Sequence, residues 1–152
     1  MASPKFDVGS LDLDISTEPV FVPNMVSKDH APLMFRSVPE SVKIHARNLR
    51  DAGWKFYPVK QVRGCCYYRE KVITIPAWAI EKETQKLGYK TWYISHEISH
   101  AYAGYHAHHG PDFMKKLIEI CPPEFVHYEL GYKPRNAAAA GIGQIGILEL
   151  DL

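Results

Sequence analysis

The pentapeptide His96-Glu97-Ile98-Ser99-His100 constrains this chain more than any other feature. Two imidazoles four residues apart share a face in a strand as well as in a helix, but only a helix brings them within about one turn of each other. On such a helix both rings can reach one metal ion. Glu97, about 100° further round, lies beside the ion without ligating it. The spacing therefore predicts a helix, opened at Thr91, that carries the histidines. Ile94, Ile98, Ala101 and Tyr105 recur on the side away from the rings, so the helix is expected to bury its back and present its ligands to a cleft.

Two histidines do not complete a site. Structural zinc is usually closed by four protein ligands, whereas catalytic zinc takes three and leaves one position for water. The segment His106-Ala107-His108-His109-Gly110-Pro111-Asp112-Phe113 offers the candidates. A continuous helix would carry His109 roughly 13 Å along its axis from His100, so the chain has to turn back, and Gly104 and Gly110 are where it can. His109 or His106 supplies the third imidazole. His30, His45 and His127 have no comparable context and read as ordinary surface or packed residues. With Zn2+ held this way, Glu97 is placed to take a proton from water, the general-base role in hydrolysis of an amide.

The surrounding pattern is α+β. Ser37 and Glu40 have capping-box spacing with Pro39 in the first turn, and Val42, Ala46, Leu49 and Ala52 line one face before Gly53. Trp54–Val59, Val62–Tyr68 and Val72–Ile75 read as strands of a short antiparallel sheet, with turns at Gly64 and Arg69-Glu70. Ala77–Leu87 reads as a helix broken at Gly88. Another starts at Gly110-Pro111, buries Phe113, Met114, Leu117, Ile118 and Cys121, and stops at Pro122-Pro123. The chain divides into an N-terminal arm (1–36), with one short strand near Leu11–Ile15, a core (37–136) and a small-residue tail (137–152). That tail holds a formal G-x-G-x-x-G at Gly141–Gly146, too close to the end to open a helix for a pyrophosphate.

No apolar run is long enough to span a bilayer, and the first residues lack a secretory pattern. The three cysteines, Cys65, Cys66 and Cys121, form no C-x-x-C pair, which points to burial in a reducing compartment. The expectation is an intracellular monomer, in cytoplasm, nucleoid or nucleus, neither secreted nor membrane-bound.

His-Gly-x-x-Phe at His109–Phe113, downstream of H-E-x-x-H, resembles the SprT-like family of metallopeptidases, which includes the Spartan proteases. The resemblance runs from about Pro39 to Cys121. It implies a zincin-like core, Zn2+ on His96, His100 and His109, a catalytic Glu97, and Phe113 packing to fix the returning loop. His106 stands at the metzincin distance from His96, but Ala103 replaces the glycine of that pattern. Many SprT-like relatives carry a cysteine zinc ribbon, which this chain cannot build, so it resembles a minimal member. The resemblance implies protein substrates, with DNA-associated proteins among them.

Charge is unevenly spread. Residues 41–90 carry eleven basic and four acidic side chains in a chain of net charge +1. Lys43, Arg47 and Arg50 form a basic stripe on the first helix, and Trp54, Tyr57, Tyr67 and Tyr68 interleave with cations along the strands. Such a surface can meet DNA, although solvation alone also accounts for it. Two further readings use the same ligands. One is a zinc-stabilised binding module without turnover, closed by His106 or His108. The other is a regulatory metallopeptidase that cleaves a repressor-type partner.

Overall fold

Val72-Ile73-Thr74-Ile75-Pro76 is buried along its whole length, and such a strand belongs at the centre of a sheet. The computed structural model, which describes residues 20–131, places it there. β1 (Lys55–Val59) and β2 (Cys65–Tyr67) flank β3 (Val72–Pro76) in the order β1-β3-β2. β2 runs antiparallel to β3, with Cys65 opposite Thr74, but β1 runs parallel to it, with Lys55 opposite Val72. The sheet is mixed rather than wholly antiparallel. A simple meander would have put the three-residue β2 in the middle, and the longer, wholly buried strand displaces it. Pro58, which has no N–H, fits an edge strand. Its carbonyl accepts the Ser27 N–H at 2.8 Å, and the Lys60 N–H reaches Met25 O at 2.9 Å, so residues 25–27 cover part of that edge.

Helices surround this sheet, giving an α+β architecture. α1 is Glu40–Asp51 and buries Val42, Ala46 and Leu49. The capping box does not form. Ser37 sits at φ 64, a left-handed turn that takes its side chain out of reach, and the Pro39 carbonyl accepts the Val42 and Lys43 N–H groups instead. Glu40 pairs with Arg47. Ala52 lies past the helix end and is exposed.

α2 (Ala77–Lys82) stops short of Leu87, and the turns after it serve the next helix. Glu83 accepts the N–H groups of Gly88 at 3.0 Å and Lys90 at 3.1 Å. This carboxylate satisfies first-turn donors and opens α3 at Tyr89, two residues before Thr91. Gly88 has φ 80, and a Cβ there would stand 2.2 Å from the Phe125 ring. Only glycine fits.

α3 (Tyr89–Ala103) carries the pentapeptide and is the core of the molecule. It is not half-exposed as its pattern suggested, since every residue from Lys90 to Ser99 is buried. α4 (Pro111–Ile120) and α5 (His127–Gly131) cover the face that bears the histidines. Tyr105 falls beyond the helix, in a 3-10 turn. In α4, Phe113, Leu117 and Ile120 face inward with Cys121, while Ile118 is 63% exposed. It sits about 100° round the helix from Leu117, outside that stripe.

Among the described residues no helix is long and apolar enough to cross a membrane, and the three cysteines are free thiols. The strand expected near Leu11–Ile15 and the tail from Ala137 lie outside the described residues.

Candidate metal centre

α3 ends at Gly104, whose N–H reaches His100 O at 2.9 Å and whose φ of 97 swings the backbone away from the helix axis. A 3-10 turn over Tyr105–Ala107 follows, and His108 adopts φ 49. Gly110 is extended (φ −78), so the second change of direction comes from His108. The loop returns His109 to the helix. His109 Nε2 stands 3.2 Å from His100 Nε2 and 3.3 Å from His96 Nε2.

Those separations match what a tetrahedral ion requires. With Zn–N bonds of about 2.0–2.1 Å, adjacent donors lie roughly 3.3 Å apart. All three donor atoms fall within 4.8 Å of one another, and no fourth His, Cys, Asp or Glu joins the group among the described residues. His106 is exposed and outside it. The chemistry of the set, three imidazole nitrogens, suits Zn2+.

Phe113 fixes the cluster from behind. Fully buried, its ring centroid lies 4.9 Å from that of His96, 4.5 Å from His100 and 5.0 Å from His109. The returning loop is thus held by packing as well as by its turns.

Electrostatics keep the donor nitrogens available. Burial, then the neighbouring His96, His109 and His108 rings, hold the His100 imidazole well below the ordinary histidine range. Burial and His96 bring His109 down to about 4. Both are therefore neutral imidazoles at neutral pH, each with one nitrogen lone pair to donate. His96 behaves differently: burial opposes its charge, but the Glu129 carboxylate outweighs that and raises its pKa. Glu97 is 5% exposed, and burial lifts it to about 7 against the lowering effect of His96. A carboxyl near neutrality can both accept and return a proton.

Glu129 carries no motif in the sequence. Its Oε1 lies 2.7 Å from His96 Nδ1 and accepts the Trp92 indole N–H at 2.9 Å. Burial works to raise its pKa, but His96 and the two hydrogen bonds hold it below the usual carboxylate value. Only its position on a short helix thirty-three residues away brings it here, and sequence spacing gives no signal for that.

The basic residues occupy another region. Lys43, Arg47 and Arg50 line a cavity of about 650 Å³ with Lys55, and no carboxylate lines it. Its apolar wall includes Phe35, Trp54 and Phe56. Of the aromatics read as interleaved with these cations, Trp54 and Tyr57 line the cavity. Tyr67 is buried and Tyr68 packs against Trp54 and Tyr105.

No family model, curated protein or solved structure matches this chain.

Proposed function

We propose that this protein is a zinc-dependent endopeptidase of SprT-like type with a zincin-like core, in which His96, His100 and His109 hold Zn2+ and Glu97 is the general base. The reading rests on one observation, the convergence of three imidazoles, with His109 Nε2 at 3.2 and 3.3 Å from the Nε2 atoms of His100 and His96, beside a buried glutamate. Held by these three imidazoles, zinc would supply the Lewis acidity that polarises a carbonyl and acidifies water toward neutral pH. Glu97 is placed to take a proton from such a water and return it to the leaving amine. Among the described residues the donor set is three, the number a catalytic zinc site uses, and this favours catalysis over a closed structural site.

The sheet suits a peptide substrate. Among the described residues β2 pairs with β3 alone, and its entrance is tied to α3 by the Gly64 N–H donated to the Tyr93 hydroxyl at 2.9 Å. An extended peptide can add to such an edge. The cavity beside α1 joins cations to aromatic walls, the combination that binds unpaired bases and phosphates. It supports substrates that are DNA-associated proteins met inside the cell.

The test is zinc content and casein or histone cleavage, with and without single-stranded DNA, for wild type beside Glu97→Gln. Wild type is expected to bind one zinc and cleave. The variant should keep the metal and lose roughly 10²–10⁴ of the rate. A metal-free wild type, or a variant that cleaves as well, overturns the assignment.

A further inference from the structure

Sequence spacing accounts for three ligands and a base, but not for the buried acid behind them. We propose that Glu129 is a positioning residue of the metal centre: it holds the His96 ring through Nδ1 and commits Nε2 to the ion. The proposal rests on the three-histidine reading above.

The hydrogen-bond inventory carries it. The Trp92 indole can only donate, and it donates to Glu129 Oε1 at 2.9 Å. His96 Nδ1 lies 2.7 Å from that same oxygen. Were Oε1 a hydroxyl donating to Nδ1 it would be a poor acceptor for the indole, so Oε1 is best satisfied as an unprotonated acceptor of both bonds, with Nδ1–H donating. A neutral imidazole protonated at Nδ1 has its lone pair at Nε2, the atom that faces His109 at 3.3 Å. A carboxylate behind a ligating histidine also makes the ring a stronger donor.

Glu129 is not held there by His96 alone. The Tyr128 hydroxyl donates to Leu87 O at 2.9 Å, and its ring packs 5.2 Å from that of Tyr89, at the start of α3. Phe125, in the turn before α5, fills the space that Gly88 leaves. The acid is therefore delivered by a helix docked on its own contacts. α5 belongs to the metal centre although it contributes no ligand.

The experiment measures zinc affinity of the full chain by chelator competition for wild type, Glu129→Gln and Glu129→Ala, and reads the His96 tautomer by nitrogen NMR before zinc is added. Glu129→Ala should bind zinc roughly 10- to 100-fold more weakly, and its His96 should lose the fixed Nδ1–H form. Glu129→Gln keeps the shape and an acceptor oxygen without the charge, so its loss should be smaller. It also provides the measurement if the alanine variant does not fold. A merely structural acid would change melting temperature without moving the tautomer. Wild type that loads zinc, beside folded variants that bind it equally with the His96 tautomer unchanged, overturns the proposal. A wild type that takes no zinc removes the site itself.

Discussion

The Nε2 atoms of His100 and His109 lie 3.2 Å apart, although the end of α3, a 3-10 turn and a left-handed residue separate them along the chain. Both rings are held neutral by burial and by the other imidazoles around them. Two lone-pair donors crowded this closely away from water gain most from a shared cation. Phe113 packs behind the set, tilted against His100 and edge-on to His109, and stops the rings from swinging apart.

Removing a ligand should therefore be distinguishable from removing a bystander. His109→Ala is expected to weaken zinc binding more than roughly a hundredfold, beyond what losing an outer-shell partner costs. His106→Ala, exposed and outside the cluster, should bind zinc like wild type. Chelator competition on both variants decides between them. Equal losses would reinstate His106 as a ligand.

How much of this was legible beforehand depends on range. His96, Glu97 and His100 are set by helical periodicity, which spans only a few residues, and α3 places them as the pentapeptide requires. The return of His109 was foreshadowed by Gly104, although the second turn falls on His108, whose positive φ no residue preference announces. The capping box at Ser37 looked correct locally and lost to the turn that lets Met34 and Val38 bury. The all-antiparallel sheet expected from the sequence missed the parallel pairing of β1 with β3, because strand alternation says which face is buried, not which strand is central. Glu129 reaches His96 across thirty-three residues, so only the tertiary fold reveals it.

Glu97 gives a pH signature that needs no substrate. Burial raises its carboxyl from 4.5 to about 7. Between those values the folded chain holds a proton that the unfolded chain has released, so this group's contribution to stability declines as pH rises through the window. Above about 7 the folded chain carries the full cost of an ionised buried carboxylate, at most roughly 3 kcal/mol. Glutamine cannot ionise. With zinc chelated, Glu97→Gln should melt close to wild type at pH 4.5 and increasingly above it up to neutral pH. His109 titrates with the opposite slope in both proteins and cancels from the difference. A constant gap in Tm across the range would show that Glu97 is not shifted.

The cavity beside α1 predicts a salt response. Lys43, Arg50 and Lys55 line it, and their side chains have no ion-pair partner among the described residues, while Arg47 is engaged by Glu40. If unpaired DNA lies there, neutralising about three phosphates gives a slope near −2 in log affinity against log salt for a single strand. Lys43→Glu with Arg50→Glu should abolish most of that slope while leaving zinc content unchanged. Fluorescence anisotropy with a short single-stranded oligonucleotide measures it. A flat response removes DNA from the proposal and leaves the peptidase standing.

Gly104 tests whether the turn, rather than the helix, assembles the centre. Its φ of 97 and ψ of 162 fall in a region that essentially only glycine occupies, and a Cβ there would meet nothing within 4 Å. Any cost of Gly104→Ala is therefore backbone strain and not a clash, of order 1–3 kcal/mol. Since α3 buries its other contacts upstream, the chain can relieve that strain by letting the loop from Tyr105 to Gly110 shift. His109 would move with it. The variant is expected to lose stability to denaturant by that amount and to bind zinc more weakly, whereas zinc in excess should restore part of the lost Tm, because binding pulls the loop back. A variant that loses stability yet binds zinc as wild type does would show that Phe113 alone seats His109, and that the turn is only a connection.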